Sequence, residues 1–240
     1  GYRLKDRLSV DDLMQRVAIT LNHEVEVMQH QLQCNGVQVI EGEASFIDPH
    51  HIQGKQQHGG TEKYGADKFL IAVGSRPHRP ESIPFDDDVI LDSDGLLNIK
   101  RLPRSLVVVG AGVIGLEYAS IFSTMDIKVT LVDQRATLLE FLEREVVDEL
   151  IHQLRERGVM IRTEEKVDHV ERDQNGRVIT ILDSGKRLCT DMVLFAAGRI
   201  GSTTALRPGN AGLTPDERFR LTVNASFQTE APHIYAAGDV

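Results

Sequence analysis

The most regular hydrophobic pattern in the chain lies within residues 104–135. Residues 106–109 form a continuous, β-branched apolar run, which is typical of a parallel strand buried on both faces. Residues 110–115 are rich in glycine, and the apolar positions after them recur at helical spacing. A second apolar run, residues 127–132, ends on Asp133. The pattern predicts a strand, a glycine turn, a helix and a second strand, which is the beginning of a Rossmann-like domain.

Helical periodicity predicts one further helix on each side of this segment. Apolar residues at helical spacing run from Val10 to Leu32, and Asn35 and Gly36 supply a stop signal. We expect this long, one-faced helix to lie on a sheet, and a free coiled coil is the alternative. Residues 143–157 form the other predicted helix, which ends at a glycine.

Short apolar runs predict the remaining strands. The runs before residue 104 are residues 37–40, 42–47 and 68–73, with polar residues 53–65 as a hairpin tip or loop. The runs after the predicted helix at residues 143–157 are residues 159–162, 167–172, 177–182, 187–189, 192–196 and 234–240. Glycine turns separate the three runs within residues 167–189, so we expect them to form a three-stranded β-meander inserted before the last strand of the domain. The predicted fold class is therefore α/β.

The glycines after the first strand have the spacing of a dinucleotide-binding fingerprint, GxGxxG. Gly110 would allow the tight turn, Gly112 would let a pyrophosphate approach the backbone, and Gly115 would let the helix lie close to the strand. Val113 and Ile114 open the helix and complete the candidate cofactor-binding segment. The alternative is a glycine-rich turn that binds no ligand.

The end of the second strand carries two further candidate cofactor-binding residues. The carboxylate of Asp133 can accept hydrogen bonds from the adenine ribose hydroxyls of NAD. Arg135 can meet the 2′-phosphate that distinguishes NADP from NAD. Together the two residues suit a site that accepts both nucleotides. The alternative for Arg135 is a solvent-exposed arginine in a loop.

Composition and charge narrow the class of protein. The chain has 240 residues, 41% of them hydrophobic, and a formal net charge of −9. That charge argues against nucleic acid or an anionic membrane as a partner, since both attract basic surfaces. No apolar run approaches the roughly 20 residues of a membrane span, and no leader precedes the first predicted helix. We expect a soluble, cytoplasmic protein.

The cysteines and histidines do not predict a metal or redox site. Cys34 and Cys189 are far apart in the sequence and neither belongs to a CxxC motif, so we expect two free thiols in a reducing compartment. His50 and His51 are adjacent, but they have no further ligands at metal-binding spacing. We therefore expect no metal site and place both histidines on the surface.

Three segments together resemble the flavoprotein disulfide reductases with two dinucleotide-binding domains, the FAD/NAD(P)-dependent pyridine nucleotide-disulfide oxidoreductases. They are the fingerprint at residues 110–115, the turn Ala-Val-Gly-Ser-Arg-Pro at 72–77, and the terminal Tyr-Ala-Ala-Gly-Asp-Val at 235–240. In that family an NAD(P)-binding domain interrupts an FAD-binding domain. The resemblance implies that residues 87–202 form the NAD(P)-binding domain and that residues 1–86 and 203–240 form an incomplete FAD-binding domain.

The resemblance also implies roles for individual residues. Asp239 would bind the ribityl chain of FAD, and the backbone around Gly74 would lie near the flavin nucleotide. Gly198, in the turn after the last strand of the inserted domain, would lie at the cofactor. Glu117 falls where the family places an acid near flavin and nicotinamide, and is the candidate catalytic residue. The alternatives are a solvated helix carboxylate for Glu117 and a plain strand-end turn for Asp239.

The implied function is hydride transfer between NADPH and NAD through FAD. Residues 90–94, 112–122 and 139–142 look most like the transhydrogenase members of the family, and the dihydrolipoamide dehydrogenases are the next most similar group. A disulfide reductase of that second type is one alternative. The other, for this chain alone, is a dinucleotide-binding module without catalytic activity, because the flavin fingerprint of the family is not in the chain. The parent protein is expected to be a homo-oligomer through a C-terminal domain that the chain does not contain.

Overall fold

The computed structural model describes residues 9–56 and 59–240. Within them the chain forms three α-helices and fifteen strands. The helices are α1 (Val10–Cys34), α2 (Val113–Ser123) and α3 (Arg144–Glu156). The strands are β1 (Gly42–Asp48), β2 (His51–Gln56), β3 (Thr61–Gly65), β4 (Phe69–Ile71), β5 (Ser75–Pro77), β6 (Ile90–Asp92), β7 (Ser105–Val109), β8 (Lys128–Val132), β9 (Met160–Arg162), β10 (Val167–Arg172), β11 (Val178–Leu182), β12 (Arg187–Thr190), β13 (Met192–Phe195), β14 (Arg199–Gly201) and β15 (Ile234–Ala236).

The chain divides into two compact units. The first contains Pro77–Gly198 together with the described residues up to Ala18, and the second contains Ile19–Arg76 and Arg199–Val240. A five-stranded parallel sheet with the order β6-β13-β7-β8-β9 forms the centre of the first unit. The three strands β10, β11 and β12 form a separate antiparallel sheet in the same unit.

Both faces of the parallel sheet are covered, as its continuous apolar strands require. Leu106 and Val108 of β7 belong to a core that includes apolar residues of α2 and α3. Val107 points to the opposite face and belongs to a second core that includes Val178 and Leu182 of the meander. This alternation explains why the apolar run in β7 is uninterrupted: successive side chains enter two different cores.

The structure confirms the predicted α/β fold class and the Rossmann-like arrangement with its three-stranded meander. The predicted strand, glycine turn, helix and strand are β7, the turn before α2, α2 and β8. The predicted helix over residues 143–157 is α3, which begins and ends one residue inside the predicted range. These elements were predictable because their apolar periodicity is strong, and because β7 and β8, which are consecutive in the sequence, also pair in the sheet.

The second unit contains three small sheets. Strands β1, β2 and β3 form an antiparallel sheet, β4 pairs in parallel with β15, and β5 pairs with β14. A core that includes Phe46, Ile71 and Ile234 joins the first two of these sheets. The polar stretch at residues 53–65, predicted as a hairpin tip or loop, contributes most of β2 and all of β3. Its strands escaped prediction because they lack the alternation of apolar and polar residues that marks a half-buried strand.

Two predictions for the first forty residues are wrong. Residues 37–40 do not form a strand, because their apolar side chains are exposed and they join none of the described sheets. Helix α1 has the predicted length, but it does not lie on a sheet along that length, because within the described residues only its first turns contribute to a core. Val10 is buried and Met14 packs against the helix-side core, whereas residues 18–34 are exposed throughout. Among the described helices none is both long and apolar enough to cross a membrane.

Thr180 provides a test of packing in the meander. Its side chain is 0% exposed, and its hydroxyl has no hydrogen-bond partner within the described residues. A buried, unsatisfied hydroxyl costs about 1–3 kcal/mol. Thr180→Val keeps the shape and removes the hydroxyl, so we expect it to raise the free energy of unfolding by about 1 kcal/mol in urea denaturation.

Thr190 is the matched control for this substitution. It is also a buried threonine of the meander, but its hydroxyl donates to the backbone oxygen of Met192 at 3.0 Å. Thr190→Val should lower the free energy of unfolding by about 1 kcal/mol, since it removes a satisfied hydrogen bond. Equal effects of the two substitutions would show that satisfaction of the hydroxyl does not determine stability here.

Candidate functional site

The carboxyl ends of the parallel strands form one edge of the first unit, and most of the predicted site residues lie there. The glycine turn follows β7, Asp133 follows β8, and Gly198 lies three residues beyond the end of β13. Open parallel sheets bind ligands in the crevice outside these ends, where the loops and helix N-termini meet. The structure therefore brings together the predicted residues of the inserted domain, namely Gly110, Gly112, Val113, Ile114, Gly115, Asp133, Arg135 and Gly198.

Two of the three fingerprint glycines are required by the protein's own backbone. Gly110 has φ +100°, and a Cβ there would lie 2.6 Å from the backbone oxygen of Ala196. A Cβ on Gly115 would lie 1.8 Å from the backbone oxygen of Gly110. Both distances are far shorter than a van der Waals contact. These glycines therefore allow the start of α2 to approach the ends of β7 and β13.

Gly112 differs from the other two glycines because nothing in the fold requires it. Its φ is −76° and ψ is −175°, a conformation open to every residue. A Cβ there would meet nothing within 4 Å. Gly112 is the N-cap of α2 and makes no side-chain capping hydrogen bond. The space beside it is therefore open at a helix N-terminus, where unsatisfied N–H groups and the helix dipole favour an anion.

The first residues of α2 border the same open space. Val113 is 50% exposed, and Gly115 is buried. Glu117 lies one turn further along α2 and is exposed. The neighbouring Tyr118 is half-buried, and its hydroxyl donates to the backbone oxygen of Ser93 at 3.4 Å. Burial raises the pKa of Tyr118 above its ordinary value, and the nearby carboxylates of Asp94 and Glu117 act in the same direction.

Asp133 fastens the end of β8 to the glycine turn. Its side chain is 5% exposed. Oδ2 accepts a hydrogen bond of 2.6 Å from the backbone N–H of Ala111, which lies between the first two fingerprint glycines. Oδ1 accepts a hydrogen bond of 2.8 Å from the backbone N–H of Arg135. The acid predicted to meet a ribose thus also shapes the turn that would hold the phosphates.

Arg135 makes a bidentate ion pair with the same carboxylate. Its Nε donates to Oδ1 of Asp133 at 2.9 Å, and its Nη2 donates to Oδ2 at 2.7 Å. Burial alone would raise the pKa of Asp133, but the hydrogen bonds from Arg135 and from the backbone hold that pKa below its ordinary value. The Asp133 hydrogen bonds raise the pKa of Arg135. The Arg135 side chain is 44% exposed, so the pair presents guanidinium N–H groups at the surface of the edge.

Gly198 occupies the turn that leaves the sheet after β13. It has φ +100°, a conformation that favours glycine, and a Cβ there would meet nothing within 4 Å. Its backbone oxygen accepts a hydrogen bond of 3.0 Å from the backbone N–H of His78. The turn thus holds the segment that precedes β6 beside the segment that follows β13.

The remaining predicted residues, Gly74 and Asp239, lie in the second unit. They follow β4 and β15, which are parallel neighbours, so both turns lie at the same edge of that small sheet. The backbone N–H of Ala237 donates to the oxygen of Ile71 at 3.0 Å, which extends this pairing into the turns. Gly74 has φ +69°, and Asp239 is exposed. This edge is therefore open at the two positions that the resemblance assigns to a flavin.

Sequence reasoning missed two residues at the edge of the first unit. The first is Ala111, whose N–H binds Asp133; an acid at the end of the second strand was the only available signal. The second is Arg162, which ends β9 beside β8. Its Nε is buried and has no hydrogen-bond partner in the described part of the chain. A basic residue at the carboxyl end of the third strand could have indicated it.

Both cysteines and the adjacent histidines His50 and His51 have their surroundings described in the structure. Cys34 and Cys189 are free and exposed. His51 binds the carboxylate of Asp48 through Nδ1 at 2.8 Å, and His50 stacks on His233 with ring centroids 4.2 Å apart. Across residues 9–56 and 59–240, no three histidine, cysteine or acidic side chains are grouped as metal ligands would be.

Comparison with known proteins gives one family and a consistent set of relatives. A family model described as pyridine nucleotide-disulphide oxidoreductase matches residues 5–240. The soluble pyridine nucleotide transhydrogenase of Mycobacterium bovis is 45% identical over 242 residues, which cover 100% of this chain and 51% of that protein. The transhydrogenase of Photobacterium profundum is 43% identical over 220 residues, covering 92% of this chain and 47% of that protein. The chain thus spans about half the length of the curated relatives it matches.

Solved structures show the same fold at lower sequence identity. LpdA from Mycobacterium tuberculosis superposes with a TM-score of 0.89 at 28% identity, covering 100% of this chain and 52% of that chain. The flavoprotein disulfide reductase RclA from Escherichia coli, induced by HOCl, superposes with a TM-score of 0.85 at 31% identity. That match covers 94% of this chain and 51% of RclA.

The different surroundings of the fingerprint glycines predict different effects of adding a methyl group. Gly112→Ala should change the free energy of unfolding by less than about 1 kcal/mol, because the methyl group enters open space and only a weak N-cap preference is lost. Gly115→Ala should lower it by several kcal/mol or prevent folding, since its Cβ collides with backbone. Urea denaturation measures both, and equal losses would show that Gly112 is also required by the fold.

Proposed function

Since the chain belongs to the pyridine nucleotide-disulphide oxidoreductase family, we propose that it is the nucleotide-binding half of an oxidoreductase that passes hydride between NADPH and NAD through FAD. The observation that carries this proposal is the open space at Gly112, between two glycines that the fold itself requires. The transhydrogenase names of relatives that are 43–45% identical support this reaction over others in the family.

The proposed domain division follows the family arrangement. Residues 87–202 form the NAD(P)-binding domain, and residues 1–86 and 203–240 form part of an FAD-binding domain. The two compact units support this division, because the first contains the parallel sheet and its meander, and the second contains the turns at Gly74 and Asp239. The full-length parent acts in the cytoplasm as a homo-oligomer, through a region outside this chain.

The pyrophosphate of the nicotinamide nucleotide binds beside Gly112 at the N-terminus of α2. The backbone there approaches the phosphates without a side chain in between, and Val113 and Ile114 offer their N–H groups. Gly110 and Gly115 position this helix end, and the turn at Gly198 closes the adjacent side of the edge. With a net charge of −9 on the chain, the phosphates depend on these local donors.

The adenine ribose binds at the Asp133–Arg135 pair. A guanidinium has five N–H donors, and two of those on Arg135 bind Asp133. Arg135 can therefore keep the acid neutralised while its other donors meet the 2′-phosphate of NADPH. With NAD, the acid accepts hydrogen bonds from the ribose hydroxyls when Arg135 turns outward. One ion pair thus serves both nucleotides, which a transhydrogenase requires.

The flavin binds at the open edge of the second unit. FAD supplies the centre that accepts hydride from one nucleotide and gives it to the other. Asp239 holds the ribityl chain, and the backbone at Gly74 lies along the flavin nucleotide. Glu117 on α2 is the catalytic acid beside flavin and nicotinamide. The exposed carboxylates of Glu117 and Asp239 support these roles because both are free to meet a ligand.

Two other functions would share this site. A disulfide reductase of the dihydrolipoamide dehydrogenase type has the same nucleotide site, and the structurally similar RclA is a flavoprotein disulfide reductase. For the chain by itself, a nucleotide-binding module without activity is the second candidate. The sequence contains one glycine fingerprint, at the start of α2, and the proposed function uses it for the nicotinamide nucleotide. Flavin absorbance that persists through gel filtration would exclude the module.

Gly112→Val tests nucleotide binding at the turn. The valine side chain fills the open space beside the α2 N-terminus, so NADH binding should fall below detection in a fluorescence titration. Circular dichroism should remain that of the wild-type chain, because the fold leaves room for the side chain. Unchanged NADH affinity would show that this turn does not hold the pyrophosphate.

Arg135→Ala tests the discrimination between nucleotides. Without the guanidinium, the 2′-phosphate faces the bare carboxylate of Asp133, so the dissociation constant for NADPH should rise by about 10- to 150-fold. The constant for NADH should change by less than about threefold, because the ribose hydroxyls still find the acid. Isothermal titration calorimetry at fixed salt measures both.

Arg104→Ala is the charge-matched control for this measurement. Arg104 is exposed and precedes β7, so it lies at the opposite edge of the sheet. It should leave both affinities at their wild-type values. If Arg135→Ala lowers the affinities for NADPH and NADH equally, Arg135 maintains the site without selecting the nucleotide.

A further inference from the structure

Arg162 is a partly buried cation of the first unit that the proposed function leaves unexplained. Its Nε is buried and has no hydrogen-bond partner in the described parts of the chain. Leaving a polar N–H of a charged group unpaired away from water is costly, and such groups in native proteins call for an explanation. A ligand that accepts a hydrogen bond at this position would remove the cost.

Arg162 lies next to the acid that the ribose would meet. It is the last residue of β9 and stands opposite Val132 in the parallel ladder. Its backbone oxygen accepts a hydrogen bond of 2.9 Å from the backbone N–H of Asp133. Since neighbouring strands lie about 4.8 Å apart, Arg162 emerges one strand away from the Asp133–Arg135 pair. Both belong to the same carboxyl edge of the sheet.

Arg162 is a cation for which the described part of the chain provides no bonded carboxylate, whereas Asp133 and Glu165 already have partners. Asp133 is paired with Arg135. Glu165, which is 7% exposed, is paired with Lys186 and also accepts a hydrogen bond of 2.6 Å from Ser184. Arg162 influences Glu165 only through space. Among the described residues it forms no ion pair with either acid.

A phosphate monoester needs more positive charge than Arg135 supplies. At neutral pH such a group carries a charge of about −1.5 to −2. Arg135 is already offset by Asp133, and the carboxylate of Glu140 acts on it as well. A 2′-phosphate bound to this pair alone would therefore meet a site with no net positive charge. Arginine is well suited to supply the missing charge, because its planar fork matches phosphate oxygens.

We propose that Arg162 is a second ligand of the 2′-phosphate of NADP(H), which it binds together with Arg135. The proposal rests on the proposed function, because it requires that the site accept a nucleotide phosphorylated on the adenine ribose. In this proposal Arg135 binds the phosphate while its charge offsets that of Asp133. Arg162 supplies the net positive charge of the site. Arg162 is thereby a specificity-determining residue that contributes little to binding of NAD(H).

The test compares two small probes that lack the nicotinamide and do not depend on flavin. Adenosine 2′,5′-bisphosphate carries the ribose phosphate, and ADP does not. Arg162→Met keeps the apolar stem and removes the charge, Arg162→Lys keeps the charge without the fork, and Arg104→Met is the charge-matched control at the opposite edge. Calorimetry of the full 240-residue chain measures each affinity, and circular dichroism confirms that each variant is folded.

Arg162→Met should lower the affinity for adenosine 2′,5′-bisphosphate by about 10- to 100-fold and the affinity for ADP by less than about threefold. Arg162→Lys should fall between Arg162→Met and the wild type, and Arg104→Met should match the wild type. Equal affinities of wild type and Arg162→Met for the 2′,5′-bisphosphate would overturn the proposal. An equal loss of affinity for both probes would also overturn it, because it would mean that Arg162 only supports the fold.

The same titrations separate this proposal from the proposed function. If the wild-type chain binds neither NADH nor ADP, the nucleotide-binding function fails, and the inference about Arg162 fails with it. If the wild-type chain binds both probes and Arg162→Met retains its preference for the 2′,5′-bisphosphate, only the inference fails. An unfolded Arg162→Met leaves Arg162→Lys as the deciding variant, and wild-type affinity for both probes in that variant contradicts a role for the arginine fork.

Discussion

The approach of three backbone segments at one edge of the parallel sheet is the constraint on which the candidate site depends. The start of α2 lies against the ends of β7 and β13 at distances that only glycine permits at positions 110 and 115. The helix N-terminus is thereby directed at the crevice, and its first N–H groups are left for a ligand. The position of Asp133 follows from the same arrangement, because its carboxylate reaches the turn only when β8 lies directly beside β7.

Because of this arrangement, the three glycines of the fingerprint have two different roles. Gly110 and Gly115 serve the protein's own packing, and Gly112 serves a space that the protein does not fill. A motif match by itself cannot make this distinction, since the three residues are identical in the sequence. The surroundings of each Cβ position make it, because open space lies beside the middle glycine alone of the three. Asp133 shows the same duality within one side chain, because it shapes the turn and is also the acid proposed to bind the ribose.

The sequence predicted elements well where local periodicity and tertiary packing agree. The apolar run of β7 and the stripe of α3 each have one buried environment to satisfy, and both were predicted within a residue or two. The prediction of a strand at residues 37–40 was wrong because an apolar run indicates burial but does not supply a partner strand. In the candidate site, the fingerprint and the acid were predicted, whereas the positions of Arg162 and of the Ala111 N–H beside that acid were not. Their roles depend on contacts between strands that are distant in the sequence.

The two cysteines have a practical consequence. The chain has two cysteines in total, both free and exposed, and one lies in each compact unit. Cys34 is near the end of α1, and Cys189 is in β12 of the meander, away from the carboxyl edge of the parallel sheet. Each thiol can therefore carry a spectroscopic label without any substitution. The native sequence thus contains its own attachment points for measuring the distance between the units in solution as nucleotide is added.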